Sequence, residues 1–216
     1  MLTEGAPHRR AFVLLGDAMT LPPLWIVRHG QTEWNAAGRL QGGLDSPLTA
    51  LGRDQARAMT ALMVADGVSA ASHAAITSPQ GRAVDTAALM LAPLGLTARP
   101  DARLAEYRLG PHEGLMRDDI DAAHPEIADL APWDWYDALP GAEGLAALAA
   151  RLAPALRELD RPTVIVAHGI VSRVLRCLVL GLPLAEGARL PGGQGVIYRV
   201  ADGDVTALGR PGGTLA

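Results

Sequence analysis

The sequence predicts an α/β fold, a three-layer sandwich with a mostly parallel central sheet. Short apolar runs rich in β-branched residues, such as Leu24–Val27 and Thr163–Ala167, are typical of strands that are buried on both faces. Along the chain these runs alternate with longer segments of helical periodicity, the order expected when helices cover both sides of a parallel sheet. The composition, 49% hydrophobic and 19% charged, is that of a globular protein with a sizeable core.

The first predicted strand, Leu24–Val27, ends at Arg28-His29-Gly30, and a loop rich in glycine and polar residues follows. Thr49 is a candidate N-cap for a helix that runs to about Ala65. Further elements follow from the same periodicities. They are the strand Ala74–Thr77, a helix from Ser78-Pro79 to roughly Leu94, a short strand near Ala98, a helix within Arg117–His124, a helix over Glu143–Leu159, the strand Thr163–Ala167, a helix over Val171–Leu180, and a hairpin of Gly195–Val200 with Val205–Leu208.

We expect a single domain over residues 1–216, because no repeat or low-complexity linker divides the chain. Residues 1–23 form an N-terminal extension in which Ala11–Leu15 is a candidate extra edge strand. This run is too short for the core of a signal peptide, so we expect a cytoplasmic protein. The longest apolar runs are also too short to cross a membrane.

Composition excludes several classes of function. The formal net charge of −4 and the scattered Lys and Arg residues argue against a nucleic-acid partner. The single cysteine, Cys177, excludes an internal disulfide and a multi-cysteine zinc site. Because it lies within an apolar run, we expect it to be a small core residue.

Two predicted strands end in the same dipeptide, His29-Gly30 and His168-Gly169. If these strands are parallel neighbours, both imidazoles meet at one edge of the sheet, where open α/β sheets bind ligands. Arg28 precedes the first histidine, and between the two motifs lie Arg82, near a helix start, and Glu106, just after a strand. Two guanidinium groups, two imidazoles and a carboxyl group at one edge predict an anion site with a nucleophile and a proton donor.

These motifs, taken together and in this order, resemble the histidine phosphatase superfamily, the phosphoglycerate mutase-like fold. The resemblance covers about residues 24–200. The matching segments are Arg28–Asn35, Gln41-Gly42, Leu48–Gly52, Ser78–Ala83 with Thr86, Glu106 followed by Gly110 and Glu113-Gly114, and Val166–Gly169.

The resemblance implies a role for each of these residues. His29 would attack phosphorus and carry the phosphoryl group, while Arg28, Arg82 and His168 would hold its equatorial oxygens. Glu106 would protonate the leaving alcohol and then help to activate water. Neither a metal nor a cofactor is implied. Contacts with substrate would come from a further set of residues, namely Asn35, Gln41, Gly42 and Gly169.

General chemistry agrees with these roles. Phosphoryl transfer spreads negative charge over three oxygens, and guanidinium groups match that geometry. An imidazole is a nucleophile only when its attacking nitrogen is unprotonated, and neighbouring arginines lower its pKa toward that state. Two assignments stay open at this stage. Glu113 is an alternative to Glu106 as the acid, and Asn35 and Gln41 could fix the loop rather than touch substrate.

The family contains phosphatases and mutases, and three features favour a phosphatase here. Leu109 stands where the mutase motif has Tyr, and Ile170-Val171 replaces the mutase Asn-Ser after the second histidine. Arg117 is the only Lys or Arg between Gly114 and Gly141, which leaves little to bind a second anionic group. We therefore expect a phosphomonoester hydrolase that acts on a small phosphorylated metabolite.

Two alternatives remain. One is a cofactor-dependent phosphoglycerate mutase, and the other is a binding or signalling member of the family without catalysis. The second alternative is disfavoured because all five core residues are present. The oligomeric state is left open, with a homodimer among the alternatives.

Overall fold

The computed structural model describes residues 21–209, so the candidate edge strand at 11–15 lies outside the described residues. Within that range, six strands form one sheet in the spatial order β3-β2-β4-β1-β5-β6. The strands are β1 (Leu24–Arg28), β2 (Ala74–Thr77), β3 (Arg99–Pro100), β4 (Thr163–Ala167), β5 (Ile197–Ala201) and β6 (Asp204–Leu208). The first four are mutually parallel where they pair, and β5 and β6 are antiparallel additions at one side. The predicted fold class is confirmed.

The helices of the described chain connect these strands. They are α1 (Glu33–Ala36), α2 (Ala50–Ala65), α3 (Gly81–Leu91), α4 (Arg117–Ala123), α5 (Pro125–Ala128), α6 (Pro132–Ala138), α7 (Leu145–Arg157) and α8 (Gly169–Leu180). None of the described helices is both long enough and apolar enough to cross a membrane.

The sheet separates two hydrophobic cores, which makes the three layers. Alternate residues of β1 face opposite sides, as the period of two in a strand requires. Leu24 and Ile26 pack in a core with α7 and α8, and Trp25 and Val27 pack in a core with α2 and α3. Cys177 of α8 is fully buried, as its apolar neighbours predict.

The parallel pairing of β1 with β4 sets the functional edge. Leu24 is opposite Thr163, and the register continues without a break until Arg28 is opposite Ala167. The next residue of each strand is a histidine, so His29 and His168 leave the sheet side by side. The predicted adjacency of the two His-Gly motifs is confirmed.

Three helix starts differ from those predicted. Helix α3 begins at Gly81 rather than at Ser78, and the Ser78 hydroxyl bonds to His168 Nε2 at 2.7 Å and accepts from the N–H of Gln80, the residue before the helix, at 3.3 Å. Helix α7 begins at Leu145, after Gly144 with φ of 78°. Helix α8 begins at Gly169, two residues earlier than predicted.

The helix predicted within Arg117–His124 is confirmed as α4, and two further short helices, α5 and α6, follow it without having been predicted. The aromatic residues of α6 divide into two groups. Trp133 and Trp135 are buried in the core, while Tyr136 is half-buried and faces the pocket described below. Only Tyr136 is therefore in a position to contact a ligand.

Candidate active site

A pocket opens at the carboxyl edge of β1 and β4. It brings together residues that are distant in sequence. The lining residues are Arg28, His29, Asn35, Gly38, Arg39, Leu40, Gln41, Gly42, Arg82, Glu106, Tyr107, Leu109, Tyr136 and Ile170. Four of the five predicted catalytic residues are in this set, and the fifth, His168, lies directly behind His29.

His29 is buried, and a single hydrogen bond fixes its tautomer. Its Nδ1 lies 2.7 Å from the carbonyl oxygen of Gly30. Because a carbonyl oxygen only accepts, Nδ1 must carry the proton and donate it, so Nε2 of the neutral ring keeps a free lone pair. The backbone N–H of His29 also donates to the carbonyl oxygen of Ala167, at 2.9 Å, which anchors the residue to β4.

The loop after His29 is held against α2 by two glycines in close contact. A Cβ atom at Gly30 would lie 2.3 Å from the carbonyl oxygen of Gly52, and one at Gly52 would lie 2.0 Å from that of Gln31. Neither position can accept a larger residue without moving the backbone. The N–H of Gly30 donates to the Thr86 hydroxyl of α3, so the loop is fixed from a second side.

The surroundings of His29 keep its ring neutral. Burial lowers the pKa of His29 well below its ordinary value, and the positive charges of Arg28 and Arg82 lower it further. The sequence analysis attributes this lowering of the pKa to the arginines, but burial is the larger cause. A neutral ring is the form that can act as a nucleophile.

His168 is fully buried and packs edge-on against His29, with ring centroids 5.2 Å apart. Its Nε2 is 2.7 Å from the Ser78 hydroxyl, and its Nδ1 has no partner within the described residues. Burial is also the main cause that lowers the pKa of His168 well below its ordinary value, followed by the charge of Arg82. The two imidazoles are therefore a neutral pair.

Arg28 follows Leu24 and Ile26 on the face of β1 that is covered by α8. Its guanidinium group lies against the first turn of that helix, where a Cβ at Gly169 would be 3.4 Å from Arg28 Cζ. Gly169 thus makes room for the arginine. The Nε of Arg28 is buried and has no hydrogen-bond partner within the described residues.

Arg82, the second residue of α3, is buried and is held by the loop 42–45. Its Nη1 donates to the Leu44 carbonyl at 2.6 Å and to Asp45 Oδ1 at 3.0 Å, and its Nη2 donates to the Gly42 carbonyl at 3.0 Å. Its Nε is buried and unpaired. These contacts fix the guanidinium group rigidly in the pocket wall.

The Glu106 carboxylate lies at the N-terminus of α8. Its Oε2 accepts a hydrogen bond from the N–H of Gly169 at 3.0 Å, and its Oε1 accepts from the N–H groups of Tyr107 and Val171 at 2.9 and 3.4 Å. The N–H of Gly169, a residue predicted to contact substrate, therefore binds the Glu106 carboxylate in this structure.

Glu113, the alternative acid, instead accepts from the N–H of Gly43 and is not in the pocket lining.

Two amide side chains of the predicted substrate set, Asn35 and Gln41, line the pocket and meet at Thr32. Thr32 caps α1, with its hydroxyl accepting from the Asn35 N–H at 3.1 Å. Gln41 Nε2 donates to the same hydroxyl at 2.9 Å. Each residue therefore fixes the loop and also borders the pocket, and contact with substrate stays a prediction. Gly42 has φ of 52°, and a Cβ there would meet Glu113 at 2.8 Å.

Sequence reasoning missed the roles of two residues of this site, Gln80 and Arg39. Gln80 joins Gly42 to Glu106, because its Oε1 accepts from the Glu106 N–H at 2.7 Å while its Nε2 donates to the Gly42 carbonyl at 2.8 Å. Arg39 lines the pocket from the loop after α1, where no motif marks it. The sequence does offer the aromatic cluster of Trp133, Trp135 and Tyr136 either as a pocket wall or as a small hydrophobic contact, and Tyr136 is its member that lines the pocket.

Within residues 21–209, no three His, Cys, Asp or Glu side chains cluster in a way that could hold a metal ion. The positive charge of the pocket comes from Arg28, Arg39 and Arg82. The pocket therefore combines three guanidinium groups, a neutral imidazole with a free Nε2 and a carboxyl group at the carboxyl edge of an α/β sandwich.

Comparison with known proteins identifies the family of this site. Residues 24–204 match the model of the histidine phosphatase superfamily (branch 1), and the chain belongs to that superfamily. It is 35% identical over 210 residues to the glucosyl-3-phosphoglycerate phosphatase of Mycolicibacterium vanbaalenii, with 90% of each chain covered. It is 36% identical over 174 residues to a probable phosphoglycerate mutase of Serratia proteamaculans, covering 77% of this chain and 79% of the relative.

A solved structure agrees with the sequence matches. The mycobacterial glucosyl-3-phosphoglycerate phosphatase in complex with VO3 superposes with a TM-score of 0.75 at 34% identity, covering 86% of this chain and 96% of that one. These matches confirm the family and the phosphatase class that the motifs predict.

The two buried neutral histidines predict a specific pH dependence of stability. Each has an ordinary pKa of 6.5 and a lower one in the folded protein, so below pH 6.5 the unfolded chain binds more protons than the folded one. The free energy of unfolding should therefore be largest above pH 6.5 and fall as the pH drops, by up to about 1.4 kcal/mol per pH unit for each histidine. Urea unfolding between pH 5.5 and 7.5 measures this slope.

A His29→Asn variant should reduce that slope by about one proton, leaving the contribution of His168. An unchanged slope in this variant would show that His29 is not held neutral in the folded protein.

Proposed function

We propose that this protein hydrolyses phosphate monoesters through a phosphohistidine formed on His29. The observation that carries the proposal is the tautomer of His29, whose Nδ1–H is bound to the Gly30 carbonyl, so that its Nε2 lone pair is free beside two guanidinium groups. Attack by Nε2 on phosphorus forms an N–P bond as the ester P–O bond breaks. Water then attacks the same phosphorus, and inorganic phosphate leaves with the N–P bond broken.

The donors around His29 support the binding of a phosphoryl group. Arg28 and Arg82 each have a buried Nε without a partner, and His168 has a buried Nδ1 without one in the described chain. If the Ser78 hydroxyl donates to His168 Nε2, then His168 Nδ1 carries the proton and can donate to a phosphoryl oxygen. Fixed donors of this kind stabilise the charge that spreads over the transferring group.

Glu106 is the proposed proton donor to the leaving alcohol. Among residues 21–209 it is the one carboxyl group that lines the pocket, and its position is fixed by the N–H groups of Tyr107, Gly169 and Val171. Once the alcohol has left, the resulting carboxylate is placed to accept a proton from the water that attacks the phosphohistidine. Gln80 holds the Glu106 backbone against the pocket wall and so aids this geometry.

The proposed substrate class is a small phosphate ester that also carries a carboxylate. Arg28 and Arg82 are sufficient for one phosphoryl group, and Arg39 adds a third guanidinium group from the loop after α1. Arg39 donates to the Gly114 carbonyl but pairs with no carboxylate among the described residues. The similar phosphatases are named for glucosyl-3-phosphoglycerate, a molecule that contains both groups.

The pocket favours hydrolysis over phosphoryl transfer between two positions of a substrate. A mutase must hold two phosphoryl groups while an intermediate reorients, but here Leu109 and Ile170 contribute apolar surface to the pocket lining. We propose that the protein acts in the cytoplasm on this one small-molecule partner. The net charge of −4 disfavours nucleic acid as an additional one.

The first prediction concerns the intermediate. Brief incubation with a 32P-labelled ester, followed by denaturation, should leave label that is stable to base and lost in acid, as a phosphoramidate is. Peptide mapping should place the label on His29. His29→Ala should carry no label and should lose essentially all turnover, because the substitution removes the ring nitrogen that is proposed to attack phosphorus. A mutant that keeps most of its activity would contradict the mechanism.

The second prediction concerns the acid. Glu106→Gln should slow the hydrolysis of alkyl phosphates by about 10²–10⁴-fold, because an alkoxide leaves poorly without a proton. Nitrophenyl phosphate, whose leaving group hardly needs one, should be affected much less. Steady-state rates on the two esters measure the difference.

Glu113→Gln is the matched control for this experiment, since the Glu113 carboxylate accepts from the N–H of Gly43 and is not in the pocket lining. It should affect both esters equally and weakly. The opposite pattern, with the selective loss in Glu113→Gln, would make Glu113 the acid.

The third prediction concerns the substrate. The protein should release phosphate from 3-phosphoglycerate with a higher kcat/KM than from glycerol 3-phosphate, which lacks the carboxylate. Arg39→Gln should lower kcat/KM by about tenfold on the first ester, the size expected for a lost charge-assisted hydrogen bond, and leave the second nearly unchanged.

The same assay separates hydrolase from mutase. No 2-phosphoglycerate should accumulate, even when 2,3-bisphosphoglycerate is added as a primer. Primer-stimulated isomerisation faster than phosphate release would overturn the hydrolase proposal, whereas equal losses on both esters in Arg39→Gln would overturn only the role of Arg39.

A further inference from the structure

The side-chain amide of Asn35 is oriented by two donors that lie on the same side of it. Its Oδ1 accepts from the Thr32 N–H at 3.2 Å and from Gln194 Nε2 at 2.8 Å. The backbone N–H can only donate, so the Asn35 atom that it contacts must be oxygen. The same oxygen then requires a donor from Gln194, which fixes the Gln194 amide as well.

This orientation has a consequence for the pocket. With Oδ1 occupied on the loop side, the Nδ2 amino group of Asn35 is the part of the amide left for the ligand. Among the described residues no acceptor bonds to Nδ2, and Asn35 lines the pocket. A flipped amide would instead present an oxygen to an anion, which is repulsive. The direction of this amide therefore decides whether Asn35 attracts or repels a phosphoryl oxygen.

Gln194 belongs to a loop that is fixed by an unusual set of donors. Three consecutive carbonyl groups, those of Leu190, Pro191 and Gly192, accept hydrogen bonds. The donors are Arg173 Nε at 3.1 Å, Arg176 Nη2 at 2.7 Å and the Tyr198 hydroxyl at 2.8 Å, respectively.

The middle donor, Arg176, is fully buried without an acidic partner in the described chain, and its Cζ lies 3.9 Å from the centroid of the Tyr198 ring. A buried cation of this kind is costly unless its N–H groups find acceptors. The Pro191 carbonyl of the loop and the Ser172 carbonyl of α8 meet part of that need, so loop and helix α8 hold each other in place. Because the loop is fixed in this way, Gln194, two residues after Gly192, lies within hydrogen-bond distance of Asn35.

We propose that Gln194 is a positioning residue for catalysis, which acts through Asn35 by keeping the Asn35 amino group directed at the phosphoryl oxygens. Gln194 is not among the residues that line the pocket. The inference rests on the proposed function, because it takes the bound anion to be a phosphoryl group.

A merely structural role for Gln194 makes a different prediction. If the Gln194–Asn35 bond only ties the loop to α1, then any substitution that breaks the bond should have the same effect, mainly on stability. If it orients the amide, Glu should be worse than Ala. A Glu carboxylate cannot donate, so it favours the flipped Asn35 amide that places Oδ1 in the pocket, whereas Ala leaves the Thr32 N–H to hold the native orientation alone.

The experiment compares Gln194→Ala and Gln194→Glu by the inhibition constant of orthovanadate against nitrophenyl phosphate hydrolysis. Orthovanadate is the probe because it reproduces the geometry of a phosphoryl group under attack. We expect the inhibition constant to rise by about threefold in Gln194→Ala and by at least about tenfold in Gln194→Glu, within the range for one hydrogen bond and its reversal. The rise in melting temperature caused by millimolar orthophosphate should shrink in the same order.

The decisive test repeats both substitutions in an Asn35→Ala background. With no amide to orient, Gln194→Ala and Gln194→Glu should then leave the inhibition constant within about twofold of Asn35→Ala alone. Arg189→Ala is the matched control, because Arg189 is in the same connecting segment with a side chain that is 82% exposed, and it should match the wild type.

Equal effects of the two Gln194 substitutions, or effects that persist without the Asn35 side chain, would overturn the inference. If Gln194→Glu does not fold, the Gln194→Ala comparison across the two backgrounds decides alone. Failure of the proposed function would look different, since the unaltered protein would then neither hydrolyse the ester nor be stabilised by orthophosphate.

Discussion

The parallel register of β1 against β4 is the constraint on which the site depends. Arg28 lies opposite Ala167, and the next residue on each strand is a histidine whose ring packs against the other at 5.2 Å. A shift of one residue would turn the alternating side chains of a strand to the opposite face of the sheet. In β1 such a shift would exchange Leu24 and Ile26 with the bulkier pair Trp25 and Val27 between the two cores, and it would separate His29 from His168. The packing of both cores therefore holds the two histidines together.

The rest of the pocket is a set of polar groups that are fixed before any ligand arrives. Arg82 is held by the loop 42–45, and Glu106 by the N-terminus of α8. Two glutamine side chains link separate segments around the pocket. Gln80 joins Gly42 to Glu106, and Gln194 joins the loop before β5 to Asn35. Groups that are already oriented need not reorganise as charge develops, which is how such sites gain most of their effect on a transition state.

The other residues that line the pocket come from three different segments of the chain. The loop after α1 supplies Arg39 and Gln41, whereas the segment around α6 supplies Tyr136 and the helix α8 supplies Ile170. One fold accommodates different activities through such variable segments, and the similar proteins include relatives named as phosphatases and as mutases.

The sequence alone was sufficient to predict the strands of the sheet and the convergence of the core site residues at one edge. Buried parallel strands are continuous apolar runs, and a residue that directly follows such a run must lie at the carboxyl edge of the sheet, as His29 and His168 do. Those features are local in sequence. The start of α3 was not predictable in the same way, because the Ser78 hydroxyl had two uses, as a helix cap or as a partner of His168.

Only the tertiary structure decided between such uses. The bond from Gln194 to Asn35 joins residues 159 positions apart, and the bond from Glu106 to Gln80 spans 26. Each such contact depends on the path of a loop, which no periodicity encodes, and on which of several acceptors a polar side chain reaches. The hydrophobic pattern of the sequence therefore determined which segments are buried. Which partner each polar group binds depended on how the loops pack around the pocket, and only the tertiary structure shows that packing.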